Sequence, residues 1–297
     1  NQDYFYSIIS GIGCYGLILS AKIQLRKIKT IILETKTTFV RNLSQAIMKM
    51  DDLKVENEFN IGSLNFSTFN KNNISGRIYS SKFSNGENLS IGKHKPQTYI
   101  YLINYILLLN KFPVTKRMVE YLLSLIVSNR HNIKSYTKQN FFQMNFLNDI
   151  NLPIYNYIFK NGFVEYQVVF DSSKFFDGIN EIHNLLKEDR RTSYLSSMKA
   201  YKAANEKYNL GLRKNGYCIT LDIPFEKGAK FDLFIRRLNE ITIKYGGQVY
   251  LGKTPCLNHE EFKEMYPHYY RYEKIKLALD PNNLIRSNMS SRLFNLS

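Results

Sequence analysis

Near the C-terminus, Tyr250-Leu251-Gly252-Lys253-Thr254-Pro255 ends an apolar stretch in a glycine and a lysine, shortly after Gly246-Gly247. A lysine on a glycine-loosened backbone can approach a bound anion or an electron-rich cofactor, although the same pattern also describes a surface lysine. Upstream, Glu165 and Gln167 stand two residues apart in a stretch patterned like a strand. The same spacing holds for Leu195, Ser197, Lys199 and Tyr201, and again for Cys218 and Thr220. A period of two sends each of these sets to one side of its strand. Carboxylate, amide, ammonium, phenol, thiol and hydroxyl groups gathered on one face suit a pocket for a polyol or sugar. An ordinary half-solvated antiparallel sheet has the same look.

Other chemistries lack their signatures. The histidines His94, His131, His183, His259 and His268 show no HExxH or paired spacing, so metal catalysis is not expected. There is no GxSxG elbow. Cys14, Cys218 and Cys256 lie too far apart for a CxxC site or a disulfide framework, which fits a reducing, cytoplasmic compartment. The run Gly11-Ile12-Gly13-Cys14-Tyr15-Gly16 does fit G-x-G-x-x-G, with Glu34 at the distance of a ribose-binding acid. A dinucleotide-binding turn must open a helix, however. Here Leu17, Leu19, Ala21, Ile23 and Leu25 alternate with Ile18, Ser20, Lys22, Gln24 and Arg26, which predicts a strand with one buried face. The glycines then serve a tight turn or a close approach of backbone to a bound group.

These residues need elements to position them. Strands are expected at 61–66, 76–83, 163–170, 194–201, 217–223 and 247–251, and helices at 39–48, 98–109, 114–127, 173–186 and 230–245. The stretch 128–153 reads as irregular. From 163 onward the order is strand–helix–strand twice over, the ferredoxin-like pattern, which implies an antiparallel sheet with helices on one face. In the strand at 163–170, Val164, Tyr166, Val168 and Phe170 form the core side, leaving Glu165 and Gln167 opposite. The fold class is therefore α+β.

The chain has 297 residues, room for about two domains. With 41 Lys+Arg against 25 Asp+Glu the formal charge is +16. The basic residues are scattered, and Arg190-Arg191 follows Glu188-Asp189 directly, so nucleic acid is not the expected partner. Peripheral contact with an anionic membrane surface stays compatible with this charge. The longest apolar stretch, 99–109, is broken by Asn104 and is too short to span a bilayer. Residue 1 is Asn and the first dozen residues already read as folded, so the chain is expected to be a fragment of a longer polypeptide.

Several longer motifs resemble the FAD-dependent oxidases of the vanillyl-alcohol oxidase superfamily, especially its decaprenylphosphoryl-β-D-ribose 2-oxidases and sugar-lactone oxidases. Gly162-Phe163-Val164-Glu165-Tyr166-Gln167 is similar to the family's G-F-[LV]-Q-Y-Q, and Gly246 to Lys253 to its GG-x-[IVL]-Y-x-[AG]-K. Gly216-Tyr217 through Thr220-Leu221-Asp222-Ile223-Pro224 resembles its G-W-…-D-[FI]-P strand, and the 11–16 turn its GMGLTG. Met265-Tyr266-Pro267, Asp280-Pro281, and Ser287-Asn288-Met289 to Arg292-Leu293 continue the likeness. The resemblance implies a ferredoxin-like substrate (cap) domain at 36–244, set between two parts of an FAD-binding domain at 1–35 and 245–297. It implies that Lys253 sits beside flavin and substrate. Gly13, Gly16, Ile18, Tyr250 and Gly252 would line the flavin. Glu165, Gln167, Leu195, Ser197, Lys199, Tyr201, Cys218 and Thr220 would line the substrate. The implied reaction is oxidation of a sugar CH–OH by hydride transfer to flavin N5. The substrate would be a polyprenyl-phosphate pentose oxidised at its 2-hydroxyl, with a short-chain reductase completing an epimerisation, or else an aldonolactone. A non-catalytic basic binding domain is the rival from another class. Glu165 departs from the family's Gln, and Thr220 stands where the family has a Cys. The family's N-terminal lobe, with its glycine-rich FAD-pyrophosphate loop, has no counterpart in these residues.

Overall fold

The computed structural model describes residues 2–53, 57–66, 74–85, 136–142, 159, 161–193, 195–253 and 256–294. The expected helices at 98–109 and 114–127 lie outside the described residues. The strands are β1 (Ile32–Val40), β2 (Phe59–Leu64), β3 (Gly76–Phe83), β4 (Tyr136–Asn140), β5 (Phe163–Asp171), β6 (Leu195–Tyr201), β7 (Gly216–Pro224) and β8 (Gln248–Val249). The helices are α1 (Gln2–Ile8), α2 (Leu43–Leu53), α3 (Ser172–Glu188), α4 (Ala229–Lys244), α5 (His259–Met265), α6 (Tyr269–Leu279) and α7 (Asn288–Phe294).

The strands form one sheet in the order β4-β1-β3-β2-β6-β7-β5-β8, and each neighbouring pair runs antiparallel. Its β6-β7-β5-β8 half, with α3 and α4 as the crossovers, is the ferredoxin-like arrangement that the strand–helix order implied. Val164, Tyr166, Val168 and Phe170 are buried, together with Phe175, Ile179, Ile182 and Leu186 of α3 and Phe231, Phe234, Leu238 and Ile241 of α4. Two hydroxyl contacts stitch this layer: Tyr166 Oη donates to Asn239 Oδ1 at 3.1 Å and lies 2.8 Å from Thr242 Oγ1.

Phe170 shows why glycines recur here. A Cβ on Gly178 of α3 would come within 3.0 Å of its ring, and a Cβ on Gly247 within 2.5 Å. Gly246, at φ +63°, turns the chain out of α4, and Gly247 then passes against the Phe170 ring into β8. The other half-sheet joins through β2 and β6, with Gly62 opposite Met198 and Ser63 opposite Ser197. Tyr217 Oη on β7 donates to Asp51 near the end of α2, which ties that helix to the ferredoxin-like half.

Three expectations are corrected. The helix expected at 39–48 begins only at Leu43, because Phe39 and Val40 finish β1, paired with Arg77 and Gly76. Within 128–153, read as irregular, Tyr136–Asn140 forms β4 on the outer side of β1. The alternating stretch 17–26 is not a strand. Leu17, Leu19 and Leu25 are 87%, 93% and 80% exposed, and Ile18 of the other parity is exposed too. A strand needs ladder partners for its backbone groups, and none of the described residues pairs with it.

Gly247→Ala forces the Phe170 ring to move and is expected to cost about 1–3 kcal/mol of stability. Chemical denaturation measures it; an unchanged midpoint would show that β8 does not depend on this close approach.

Candidate active site on the open face of the sheet

Because α3 and α4 take one side of β5 and β7, the intervening residues are delivered together on the other. The register pairs Gln167 with Thr220 and Thr220 with Ser197. One pleat along, Cys218 pairs with Lys199; in the other direction Asp222 lies between Glu165 and Leu195. Cross-strand partners share a face, with Cβ atoms about 4.5–5.5 Å apart. Glu165, Gln167, Ser197, Lys199, Cys218 and Thr220 thus form one cluster, as alternation indicated. Leu195 is paired with Asp222 in the ladder. Tyr201 lies at the far end of β6, opposite Gly216.

The C-terminal return adds the lysine. β8 pairs with the middle of β5, Val249 opposite Val168, and the Tyr250 N–H continues the ladder to the Gln167 carbonyl at 2.9 Å. Two anchors hold this short strand: Tyr266 Oη donates to the Val249 carbonyl at 2.6 Å and Gln248 Nε2 to the Met265 carbonyl at 2.7 Å. α5 is fixed in turn by the Asn258/Glu261 capping box, and Glu261 also accepts from Asn239 of α4 at 3.0 Å. A tight turn, Lys253 N–H to Tyr250 carbonyl at 3.3 Å, then swings Lys253 over β5. Its Nζ lies 2.6 Å from Glu165 Oε1.

The electrostatics follow from partial burial. Burial pushes the Cys218 thiol above its ordinary value; Gln167 Nε2, donating to its Sγ at 3.2 Å, and the charges of Lys199 and Lys253 act against that rise. Burial likewise raises the Tyr201 phenol, with Cys218 and Tyr250 adding to the effect. Both groups are thereby held in their protonated, neutral forms.

The flavin-side residues divide. Tyr250 is 41% exposed and stands beside Gly252, where an added Cβ would meet the Tyr250 ring at 2.9 Å. Gly13, at φ +75°, and Gly16 present bare backbone, with no described atom within 4 Å of a Cβ built on either. Their turn rests on the C-terminal helices: Tyr15 Oη donates to the Tyr272 carbonyl at 3.1 Å, and Tyr272 Oη to the Gly11 carbonyl at 3.3 Å. Ile18 does not join the packed structure; it lies in the exposed 17–29 segment. Sequence reasoning passed over Asp222 as a site residue although alternation placed it on this face. The structure sets it beside Glu165, almost fully buried.

A family model described as D-arabinono-1,4-lactone oxidase matches residues 218–293, from the Cys218 strand through Lys253 to α7. Decaprenylphosphoryl-beta-D-ribose oxidase of Mycolicibacterium smegmatis (strain ATCC 700084 / mc(2)155) is 24% identical over 134 residues, 44% of this chain and 28% of that protein. The structure of a single-substitution variant of berberine bridge enzyme superposes with a TM-score of 0.56 at 10% identity, over 98% of this chain and 62% of that one. BBE-like #28 from Arabidopsis thaliana gives 0.53 at 12% identity, over 99% and 63%. Residues 218–293 are thus similar to a lactone-oxidase family model, and the fold as a whole is similar to that of the berberine-bridge-type enzymes. The chain spans about a quarter of the curated relative's length. Bare glycine backbone, an exposed tyrosine ring and a lysine at the sheet edge suit a flat, electron-accepting ring such as flavin.

Lys253 and Glu165 side chains remain 44% and 24% exposed, so their ion pair adds little to folding, about 1 kcal/mol or less. Lys253→Ala should therefore leave the unfolding free energy within about 1 kcal/mol of wild type. A larger loss in chemical denaturation would make Lys253 part of the scaffold.

Proposed function

We propose that this chain supplies the substrate side and part of the flavin side of an FAD-dependent oxidoreductase that oxidises a sugar CH–OH group. The observation that carries the reading is the convergence of Lys253 with Glu165, Gln167, Lys199, Cys218 and Thr220 on the sheet face opposite α3 and α4. FAD, when bound, supplies the acceptor for the hydride at its N5. Tyr250, Gly252 and Lys253 would hold its ring from the sheet edge, with Gly13 and Gly16 contributing from the N-terminal turn and Ile18 from the exposed segment that follows it. Residues 1–35 and 245–297 would then form part of the flavin-binding domain, and 36–244 the substrate domain. The packing of Tyr15 and Gly11 against Tyr272 supports that division.

The chain's own groups have distinct tasks. The Lys253 ammonium is placed to donate a hydrogen bond toward the substrate oxygen, which gains negative charge as its proton is removed. Gln167 and Thr220 offer neutral donors and acceptors to sugar hydroxyls. Lys199 adds a positive charge to the same face, which suits a phosphate-bearing substrate. The preferred substrate is a polyprenyl-phosphate pentose oxidised at the 2-hydroxyl, supported by the match to the ribose oxidase. A short-chain reductase acting on the keto product would complete an epimerisation. Among the described residues no helix is long and apolar enough to cross a membrane. The match over 218–293 favours an aldonolactone as the second reading.

The complete gene product should purify with a flavin spectrum that bleaches anaerobically with farnesylphosphoryl-β-D-ribose, and more slowly with D-arabinono-1,4-lactone. Lys253→Ala should lower that reduction rate at least ~100-fold. A colourless protein that takes up no FAD, or that instead binds nucleic acid in a salt-sensitive way, would overturn the oxidase reading.

A further inference from the structure

Oxidising a carbinol carbon removes a hydride from carbon and a proton from oxygen, and the oxidase reading assigns only the hydride. This inference rests on that reading. The open face offers few groups that can take a proton. Lys199 and Lys253 are ammonium ions with no lone pair, and Gln167 is a neutral amide already donating to Cys218 Sγ. Burial keeps the Cys218 thiol and the Tyr201 phenol protonated. Asp222 carries a carboxylate but is only 4% exposed. Glu165 is different. Its side chain is within reach of solvent, stands one pleat from Gln167, and is paired through Oε1 with Lys253 Nζ at 2.6 Å. An ion pair presents the side chain as a carboxylate, and it lies beside the lysine that the reading sets against flavin and substrate.

We propose that Glu165 is the catalytic base of this oxidase, accepting the substrate's hydroxyl proton as the hydride departs. The C–H bond breaks with its electron pair going to the flavin, which is reduced by two electrons. The substrate O–H bond breaks, its proton forms an O–H bond on the Glu165 carboxylate, and the carbinol becomes a carbonyl. Neutralising the carboxylate releases the Lys253 ammonium to hydrogen-bond the new carbonyl oxygen, so the ion pair couples the two halves of the oxidation.

The test uses the FAD-loaded holoenzyme in anaerobic stopped flow, with farnesylphosphoryl-β-D-ribose or D-arabinono-1,4-lactone, whichever reduces the wild type. Glu165→Gln should keep flavin content and substrate Kd within a few-fold while slowing flavin reduction by ~10²–10⁴. Formate should restore reduction to Glu165→Ala in proportion to its concentration, which a structural role would not produce. In the flavin-free chain, Glu165→Gln should raise the labelling of Lys253 by an amine-directed reagent, read by peptide mass spectrometry. Wild-type reduction rates in Glu165→Gln, slow reduction in Glu165→Ala without formate rescue, or unchanged Lys253 labelling would each overturn the proposal. A wild-type flavin that neither sugar reduces would instead defeat the oxidase reading, and this assignment with it.

Discussion

The packing of Phe170 under two glycines fixes where everything else can go. Its ring lies between Gly178 of α3 and Gly247 at the head of β8, positions where a Cβ would meet it at 3.0 and 2.5 Å. One contact therefore docks the first crossover helix and brings the chain back beside β5. Once Phe170 and its even-numbered neighbours point at the helices, the pleat sends Glu165 and Gln167 the other way. The face carrying Glu165 and Gln167 is thus a by-product of core packing. A slip of one residue in β5 would bury the carboxylate and expose Tyr166.

The lysine reaches that face through a chain of small supports. β8 is only two residues long, too short to hold itself, so Tyr266 and Gln248 fasten it to the end of α5. The capping box at Asn258 and the Asn239–Glu261 contact fasten α5 to α4. Lys253 is thereby positioned by buried hydrogen bonds while its own ion pair stays partly in water. This separates what stabilises the protein from what serves chemistry.

Much of this was legible in the sequence where one periodicity ran unbroken. Val164 to Phe170 alternate cleanly, Ile179, Ile182 and Leu186 repeat at helical spacing, and the elements from β5 to α4 fall within a residue or two of expectation; Phe176, expected on the same helix face, is 42% exposed, and Phe175 is buried in its place. Reading failed where polarity and burial part company. β1 carries Glu34, Lys36, Thr37 and Thr38, and its Thr35 is buried through hydrogen bonds to Ser81 and Gln139 rather than through apolar packing. β4 is five polar-leaning residues at a sheet edge, a position that needs little hydrophobicity. Residues 17–26 misled in the opposite sense: alternation marks a capacity to pair, and a strand forms only where a partner is present. Which residues share the face of Glu165 and Gln167 followed from alternation alone. The Glu165–Lys253 pair did not, because 88 residues separate them and only the β8–β5 pairing brings them together.

The account stands on the claim that the open face of the β5–β7 sheet, with Lys253 at its edge, is where flavin and substrate meet. A crystal structure of the FAD-loaded full-length protein tests this directly. The flavin N5 should lie over the Glu165–Gln167–Cys218 face with Lys253 Nζ within hydrogen-bonding reach of the ring or of a bound sugar. An isoalloxazine seated elsewhere, with Lys253 still turned to solvent, would contradict it.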